Sequence, residues 1–416
     1  MSMDESSHAP SNQPSLKPSN GHLPAGLAAT QNERMDIELP VAWLGGLSPQ
    51  AFMRHHWQKK PLLIRQALPG DASVLSRSEL FTLAASEAVE SRLVVRNERG
   101  WALRHGPFRR SSLPPLRQPN WTLLVQGLDL HLAAARLLLD RFRFVPDARL
   151  DDVMVSYATD GGGVGPHVDS YDVFLLQTHG RRRWRVGKVG DAALVPDVPL
   201  KLLSSFAPQF EWLLEPGDML YLPPGWGHDG VAEGDCMTCS IGFRAPRRSE
   251  IATGVLQRVL DAAEPPDADP LYRDAKQLAT GSPGRIPTAL RDFAAQAVAR
   301  LLADQGTMAC SLGELLSEPK SRVSFQPTDE AAPVSRGVGL DRRTRMLYDD
   351  AFVFINGESY RASGRDARLM RCLADRRALT WREMGMLGGP ARDLLDEWLR
   401  AGWLHPRRND DVGGRP

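Results

Sequence analysis

The stretch GGGVGPHVDSYDVFLLQTHGRRRWRVGK, residues 161–188, places a histidine and an aspartate two positions apart, between a glycine run and an apolar segment. Successive side chains of a β-strand alternate between its two faces, so His167 and Asp169 point the same way and one cation could contact both. The alternative is that both are ordinary polar residues at the end of a strand. The glycines at 161–163 and 165 favour a site, because they remove side chains where the backbone would pass a ligand closely.

A third ligand for such a cation would come from the remote histidine His228. Two imidazoles and one carboxylate on one face of an octahedron suit Fe(II) and leave positions open for a co-substrate and oxygen. His228 ends the turn and strand of EPGDMLYLPPGWGH, and strands that are remote in sequence become neighbours in a jelly roll. The other histidines fit less well, because they fall in a predicted turn or on predicted helices: His179, His55, His56 and His131.

The arginine-rich end of the opening stretch, RRRWRVGK, predicts a buried arginine. Period-two alternation sets Arg182 on the same face as Trp184 and Val186, and the other three arginines on the opposite face. An unpaired buried guanidinium is costly, so Arg182 should meet an anion, and its planar fork suits a carboxylate. A dicarboxylate that chelates the metal with a keto-acid end and offers its far carboxylate to Arg182, such as 2-oxoglutarate, satisfies both demands. A distant acidic residue or a solvent-facing edge strand are the alternatives.

The chain from about residue 93 to residue 243 is patterned as short strands punctuated by glycine and proline. Such strands predict a two-sheet jelly roll or barrel, preceded by a helix that starts at Ser48-Pro49 and by a strand at 62–65. A long helix is expected over 121–142, where apolar residues recur at helical spacing. The predicted strand segments are SRLVVRN, DDVMVSYA, YDVFLLQT, RRRWRVGK, DMLYLPP and MTCSIGFRA.

Two further patterns follow the strand-rich region. Beyond residue 246, SEIATGVLQRVLDAAE and ALRDFAAQAVARLLAD are amphipathic helices separated by Gly- and Pro-rich linkers. From about residue 342, the predicted hairpin AFVFINGESYRA turns at Asn356-Gly357 and is followed by two helices, which is typical of a winged-helix α+β unit. At the other end of the chain, residues 1–36 are rich in Ser, Pro and Asn and predict a disordered leader.

Composition narrows the class of protein. A chain of 416 residues with 42% hydrophobic residues can build two or three globular domains. The formal net charge of +1, from 51 basic and 50 acidic side chains, requires neither nucleic acid nor an anionic membrane as a partner. Four cysteines are too few for a disulfide scaffold, and neither a secretion signal nor a membrane-spanning run is found, so an intracellular protein is expected.

These segments resemble the JmjC-type ribosomal oxygenases, and within that family the bacterial ribosomal protein arginine hydroxylases. The resemblance covers roughly residues 37–410, and its most specific parts are the opening stretch, LEPGDMLYLPPGWGHDG and SIGFRAP. It implies three domains. These would be a JmjC (cupin) double-stranded β-helix at 37–246, a helical dimerisation segment at 247–320 and a winged-helix domain at 321–410.

The resemblance also implies the chemistry. Members of the family use Fe(II), 2-oxoglutarate and O2 to hydroxylate an arginyl or histidyl residue of a ribosomal protein, and the bacterial members typically modify arginine, with succinate and CO2 as products. We therefore expect a cytoplasmic, homodimeric 2-oxoglutarate-dependent dioxygenase that acts on a large-subunit ribosomal protein, with no membrane partner and no direct nucleic-acid binding. The residues assigned to the metal and then to 2-oxoglutarate are His167, Asp169 and His228, and Arg182, Ser156 and Thr238.

Other interpretations stay open. A transcription regulator would sense a ligand with the jelly roll and bind DNA with the winged helix, but residues 341–410 carry 14 basic and 11 acidic side chains, which is little positive charge for backbone binding. Histidyl hydroxylation or demethylation would use the same metal centre. Cys236 and Cys239 form a C-x-x-C pair, but in a strand they face opposite ways, so packed cysteines are favoured over a zinc or redox site.

The substrate pocket is the least determined part of the site. An arginyl substrate requires acidic or aromatic groups near the metal. Proximity in sequence to the H-x-D pair offers Asp160, Tyr171 and Asp172 as candidates. The sequence does not specify which residue of which ribosomal protein is modified.

Overall fold

A ten-stranded antiparallel sheet that folds over on itself is formed by strands within residues 62–243. The computed structural model describes residues 35–70, 72–190, 192–263, 270–328 and 334–407, so the predicted leader lies outside the described residues except for its last two. The strands of this sheet are β1 (Leu62–Ile64), β2 (Ser91–Asn97), β3 (Gly100–His105), β4 (Trp121–Val125), β5 (Leu150–Ala158), β6 (His167–Val168), β7 (Val173–Lys188), β8 (Phe210–Leu214), β9 (Met219–Leu222) and β10 (Trp226–Phe243).

Strands β7 and β10 are long because each passes from one layer of the fold to the other. The sheet runs β1-β9-β7-β10-β5-β4-β2-β3, while β8 pairs with β7 and β6 pairs with β10 away from this path. The register between β7 and β10 shifts near Gly180 and Gly234, which both have positive φ, and the ribbon bends there. Two facing layers joined by such strands form a jelly roll, and the predicted fold class is confirmed.

Three helices pack on the outside of this unit: α1 (Pro49–His55), α2 (Arg77–Ala84) and α3 (Ala133–Asp140). The predicted start of α1 is confirmed, because the Ser48 side chain accepts a hydrogen bond from the Ala51 N–H at 3.1 Å. Phe52 of α1 is fully buried and makes ring contacts with Tyr221 and Phe174. The core therefore lies between these helices and one face of the long sheet.

The helix expected over 121–142 is wrong in its first part. Residues Trp121–Val125 form β4, in which all five residues are buried between β2 and β5, and only Ala133–Asp140 is α-helical. Gly127 has a φ of 66° and separates the two elements. A short apolar run fits a buried strand as well as a helix, and here pairing with neighbouring strands decides the outcome.

The second error concerns the predicted turn at His179. The segments YDVFLLQT and RRRWRVGK belong to the single strand β7, and His179 lies at its bend, opposite Met237. A side chain at Gly180 would have its Cβ 2.1 Å from the Asp235 carbonyl oxygen. Gly180 therefore permits a bulge in a continuous strand, where a turn was predicted.

Three helices follow the jelly roll: α4 (Arg248–Asp261), α5 (Thr288–Leu301) and α6 (Gln305–Ser317). Helices α4 and α6 pack closely, since a Cβ at Gly254 would lie 2.8 Å from Leu315 and Arg258 pairs with Glu314 and Glu318. Helix α5, in contrast, has no buried residue. Among the described residues, no helix is long and apolar enough to cross a membrane.

The C-terminal unit contains two small sheets and three helices. Its predicted hairpin is confirmed, with Asn356 and Gly357 both at positive φ, as a two-residue hairpin turn requires. A buried apolar core that includes Leu373 and Trp398 joins the helices to the strands. The elements are β11 (Val338–Leu340), β12 (Met346–Tyr348), β13 (Phe352–Ile355), β14 (Glu358–Arg361), α7 (Gly364–Arg376), β15 (Ala378–Leu379), α8 (Trp381–Gly385), α9 (Gly389–Arg400) and β16 (Leu404–Pro406).

Arg143, just after α3, holds the C-terminal unit against the jelly roll. Its guanidinium pairs with Asp147 at 2.6 Å and donates to the carbonyl oxygens of Ala374 and Asp375 at the end of α7, at 2.8 and 2.6 Å. Those carbonyls are the unpaired acceptors that end a helix, so the arginine both caps α7 and fixes its position. The exact division of the chain into domains remains a prediction.

Candidate metal centre

Pairing of β6 with β10 brings the two histidines of the predicted triad together. His167 and His228 are direct cross-strand partners, and Asp169 follows β6. The Asp169 carboxylate lies 3.6 Å from Nε2 of His228 and 4.0 Å from Nε2 of His167. Two ligands that each lie about 2.1 Å from a common ion are separated by up to about 4.2 Å, so the 3.6 and 4.0 Å distances are compatible with one shared ion. One donor atom from each of the three residues lies within 4.8 Å of the other two.

Main-chain carbonyls orient both imidazoles. Nδ1 of His167 is 2.9 Å from the Gly165 carbonyl oxygen, and Nδ1 of His228 is 3.1 Å from that of Trp226. A carbonyl oxygen only accepts, so each neutral ring carries its proton on Nδ1 and leaves Nε2 as a bare electron pair. Both lone pairs point into the cluster, which is the arrangement that metal-binding histidines adopt.

Burial keeps His228 uncharged. The residue is 3% exposed, and burial, followed by the adjacent His167, lowers its pKa to about 4 in spite of the opposing effect of Asp169. A neutral imidazole is the form that ligates metals. The donor set of two imidazoles and one carboxylate, with Asp169 its only carboxylate, therefore fits a divalent cation, and it is the type that suits non-haem Fe(II).

The glycine run that precedes His167 is required by the chain's own backbone. A Cβ at Gly163 would lie 2.6 Å from the Gly230 carbonyl oxygen, and one at Gly162 would lie 2.5 Å from that of Trp121. From the sequence, these glycines were expected to make room for a ligand that passes close to the backbone. The structure instead shows the segment threaded between β4 and β10 so that His167 reaches its partner strand.

Arg182 is buried, as the alternation predicted. It is 5% exposed, and its Nη1 donates to the Ser156 hydroxyl oxygen at 3.1 Å. Nε and Nη2 are buried and have no hydrogen-bond partner among the described residues. No carboxylate of the described residues pairs with it, and its burial rules out the alternative of a solvent-facing edge strand. A buried guanidinium with two unused donors is a receptor for an anion.

The other two predicted co-substrate residues lie beside Arg182. Ser156 and Thr238 are direct partners on β5 and β10, and both are buried. The Thr238 hydroxyl donates to Oε1 of Gln177 at 2.8 Å. Gln177 was not among the site residues predicted from the sequence. Gln177 is fully buried in β7, and its position in an apolar strand is the signal that would have identified it.

Trp184 links the two halves of the site. Its ring centroid is 5.8 Å from that of His228, and the Arg182 guanidinium carbon is 5.8 Å from the Trp184 ring. From the sequence, Trp184 was expected only to lie on the same buried face of the strand as Arg182. In the structure its buried ring lies next to both His228 and Arg182, and its indole N–H has no hydrogen-bond partner among the described residues.

The three guessed substrate residues differ in position. Tyr171 is 39% exposed, and burial of its hydroxyl, with the negative charge of Asp169, raises its pKa. Asp160 accepts the Gly234 N–H at 2.8 Å on the exposed surface. Asp172 is fully buried and accepts hydrogen bonds from the Tyr221 hydroxyl and the Gln58 amide. The suggestion that Asp172 contacts the substrate is therefore wrong.

The C-x-x-C pair is structural. Cys236 and Cys239 are both free and fully buried, and they belong to different apolar clusters on the two faces of β10. Burial raises the pKa of the Cys239 thiol. The expectation of two packed cysteines is confirmed, because opposite faces of a strand cannot hold one metal ion.

The sequence and the fold are similar to known proteins. The JmjC domain profile matches residues 137–251 and the ROXA-like winged helix profile matches residues 300–405. The chain is 34% identical to the Ribosomal protein uL16 3-hydroxylase of Escherichia coli (strain K12) over 84% of this chain and 93% of the relative. The crystal structure of E. coli YcfD superposes with a TM-score of 0.76 at 30% identity, over 86% of this chain and 97% of that one. YcfD in complex with cobalt and 2-oxoglutarate gives a TM-score of 0.73 at 29% identity, over 86% of this chain and 98% of that one.

Proposed function

The chain belongs to the JmjC-type ribosomal oxygenases, and on this basis we propose that it is an Fe(II)- and 2-oxoglutarate-dependent oxygenase that hydroxylates an arginyl side chain of the large-subunit ribosomal protein uL16. The observation that carries the proposal is the joint presence, inside one jelly roll, of a two-histidine, one-carboxylate cluster and a buried arginine with unused donors. A ligand sensor needs no such open metal face beside an anion receptor.

Three residues would hold the iron: His167, Asp169 and His228. The two neutral imidazoles supply nitrogen donors, and the single carboxylate offsets one of the two positive charges of Fe(II). A set of three protein ligands leaves the remaining positions of the ion to co-substrates. The hydrogen bonds that the two Nδ1–H groups donate to the Gly165 and Trp226 carbonyl oxygens keep both rings in the ligating orientation.

Arg182 would bind the far carboxylate of 2-oxoglutarate. Its free Nε and Nη2 form one edge of the guanidinium fork, which matches the two oxygens of a carboxylate. The Ser156 hydroxyl oxygen orients the guanidinium by accepting a hydrogen bond from Nη1. Thr238 and Gln177, which are hydrogen-bonded to each other, would line the adjoining part of the pocket. Trp184 excludes water between the arginine and the metal ligands.

When iron and 2-oxoglutarate are bound, they supply the oxidising chemistry, in which O2 and 2-oxoglutarate are converted to CO2, succinate and one oxygen atom inserted into a substrate C–H bond. The protein's own residues bind and position. Arg182 fixes the co-substrate's direction, and the buried walls of β7 and β10 exclude water from it. The substrate side chain would enter past Tyr171, whose aromatic ring suits a guanidinium and whose hydroxyl lies near Asp169.

We further propose a homodimer located in the cytoplasm. The exposed leucines Leu256 and Leu260 of α4 and the uncovered helix α5 leave an apolar surface whose occupant would be the same segment of a second copy. The winged-helix unit would act as a scaffold, since Arg143 locks it to the jelly roll. Four free cysteines agree with a reducing compartment.

The decisive experiment incubates the protein with Fe(II), 2-oxoglutarate and a set of uL16-derived peptides, and measures peptide mass and succinate together. A gain of about 16 Da on one arginine, matched by equimolar succinate, is expected. A gain on histidine would instead indicate a histidyl hydroxylase, and loss of a methyl group a demethylase. Specific duplex DNA binding without succinate formation would support the ligand-sensing regulator.

A further inference from the structure

Arg92, in strand β2, is a half-buried arginine whose side chain lacks a partner in the described part of the chain. Its Nε is buried and has no hydrogen-bond partner among the described residues. Its two Nη groups also make no hydrogen bond or ion pair with those residues. A guanidinium N–H that loses water without gaining an acceptor is costly. The acceptor for Arg92 is therefore expected to come from a bound molecule.

The strand register places Arg92 on the face of the sheet that lines the pocket. Arg92 pairs with Leu124 of β4, and Leu124 pairs with Ser156 of β5. Directly paired residues project to the same face, so Arg92 shares the face of Ser156, whose hydroxyl oxygen accepts from Arg182. Neighbouring strands lie about 4.8 Å apart, which separates the Cα atoms of Arg92 and Ser156 by about 10 Å. The next residue, Leu93, points the other way, into the main apolar core.

The guanidinium of Arg92 also lies close to the metal side of this face. Burial raises the pKa of the Tyr171 hydroxyl and Asp169 raises it further, whereas the positive charge of Arg92 lowers it. Such an effect weakens with distance, so Arg92 and the Tyr171 hydroxyl are near one another. Tyr171 stands at the proposed entry for the substrate side chain, and Asp169 is one of the three clustered metal-binding residues. Arg92 therefore borders the space that a substrate segment would occupy.

We infer that Arg92 binds the main chain of the substrate protein, by donating hydrogen bonds to carbonyl oxygens of residues that flank the hydroxylated side chain. The inference rests on the proposed function and adds a substrate-binding residue to it. Every polypeptide supplies such carbonyls, whereas 2-oxoglutarate would already be matched at one end by Arg182 and at the other by the metal. The planar fork of a guanidinium can hold two acceptors, so Arg92 would fix the direction of the bound segment as well as its position.

The positive charge of Arg92 gives the inference a definite sign. An arginyl substrate brings a second guanidinium towards the site, and two like charges repel one another. If Arg92 made no bond with the substrate, its removal would relieve this repulsion and tighten substrate binding. If Arg92 holds carbonyl oxygens of the substrate, its removal weakens binding although the repulsion is relieved. The direction of the change therefore separates hydrogen bonding from the effect of charge alone.

Arg96 provides a matched control on the same strand. It lies on the same face of β2 as Arg92, about 13 Å further along at roughly 3.4 Å per residue, and it is exposed. Its guanidinium carbon lies 5.7 Å from the centre of the Trp101 ring, so one face of the group is already occupied. Substitution of either arginine breaks no hydrogen bond between described residues, and both variants are expected to fold.

The test compares wild type, R92Q, R92K and R96Q with a uL16-derived peptide that the wild type hydroxylates. Anisotropy of the fluorescein-labelled peptide gives its Kd for protein loaded with Co(II) and 2-oxoglutarate, and kinetics with Fe(II) give KM and kcat. R92Q should raise the Kd and KM for the peptide by about 10- to 100-fold, as expected for the loss of charge-assisted hydrogen bonds. The Kd of R92Q for 2-oxoglutarate without peptide should equal that of the wild type. R96Q should resemble the wild type, and R92K, which keeps the charge but not the fork, should restore only part of the affinity.

An unchanged or lowered Kd and KM for the peptide in R92Q overturns the inference. A weakened affinity for 2-oxoglutarate in the absence of peptide also overturns it, because Arg92 would then belong to the co-substrate pocket. Full restoration by R92K would show that charge alone matters. If R92Q melts below the wild type, the partial defect of R92K decides the question. Wild-type protein that hydroxylates no uL16 peptide would contradict the proposed function and this inference together, whereas normal turnover with an unaffected R92Q contradicts the inference alone.

Discussion

The carboxylate of Asp169 lies 3.6 Å from Nε2 of His228, although the two residues are separated by 59 positions in the chain. The pairing of the short strand β6 with the beginning of β10 produces this contact. This contact is the structural basis of the proposed iron site, to which Asp169 contributes the carboxylate.

Replacement D169A should lower 2-oxoglutarate-dependent turnover of a uL16 peptide by more than about 100-fold, because it removes the only carboxylate of the cluster. Titration with Co(II) under anaerobic conditions should show weakened metal binding. D393A, at an exposed position of α9, should behave like the wild type in both assays. Metal affinity unchanged in D169A would contradict the proposed ligand set.

Replacement R182A should raise the KM for 2-oxoglutarate by about 10- to 100-fold, which corresponds to losing charge-assisted hydrogen bonds worth about 1.5–3 kcal/mol. Steady-state kinetics with 2-oxoglutarate as the varied substrate measures the effect. The adjacent R183A is a stringent control, since Arg183 faces outward and pairs with Glu211 and Glu233. Equal KM values for the two variants would refute the assignment.

Replacement G163A should destabilise the protein by about 1–3 kcal/mol, because the new methyl group meets the Gly230 carbonyl oxygen at 2.6 Å and has no room to move. Metal affinity should fall as well, since the displaced segment carries His167. Urea unfolding and Co(II) titration test both effects. At Gly190 no atom of the described part of the chain lies within 4 Å of an added Cβ, so G190A should change neither. A G163A variant as stable as the wild type would contradict the prediction, because it would show that the segment can move away from the Gly230 carbonyl oxygen.

Replacement R143A should cost about 2–3 kcal/mol of unfolding free energy, because it leaves Asp147 and two carbonyl acceptors at the end of α7 without their partner. The winged-helix unit should then unfold separately, which calorimetry would detect as a second transition. R368A, at an exposed position of α7, should retain the wild-type profile. A single transition at the wild-type temperature in R143A would contradict this role.

The contribution of Asp147 should depend on pH. Burial on its own raises the pKa of this carboxyl, but the Arg143 guanidinium, together with Arg136 and Arg377, holds the pKa below the ordinary value of 3.8. The stabilisation is therefore fully present above pH 3.8 and is lost as the pH falls through the lower folded pKa. The difference in melting temperature between wild type and D147N should persist at neutral pH and disappear in acid. A difference in melting temperature that increases as the pH falls would contradict a lowered pKa for Asp147.

Replacement of Leu260 and Val298 by glutamate should convert the proposed dimer to a monomer. Both side chains are more than half exposed in the single chain, and burying two carboxylates in an apolar interface is unfavourable. Light scattering coupled to gel filtration gives the mass directly. Q296E, on the same helix α5, should remain dimeric. A monomeric wild type at micromolar concentration would exclude the dimer.

Much of the fold follows from local pattern. The alternation in RRRWRVGK placed Arg182 inward, and the Asn356-Gly357 pair specified a hairpin, because side-chain period and positive φ are properties of a few consecutive residues. The segment Trp121–Val125 was missed for the same reason, since a short apolar run carries no information on whether strands will flank it. Its burial between β2 and β5 is decided by the tertiary structure.

The sequence by itself determined the types of donor, their spacing within one strand and the family that the motifs identify. Only the tertiary structure decided that His228 meets His167 and Asp169, and that Arg182 is left with two unused donors. The physical reason is that periodicity acts over a few residues, whereas coordination, desolvation and charge compensation depend on which remote strands pair. Those pairings minimise the free energy of the whole chain and cannot be read from any one segment.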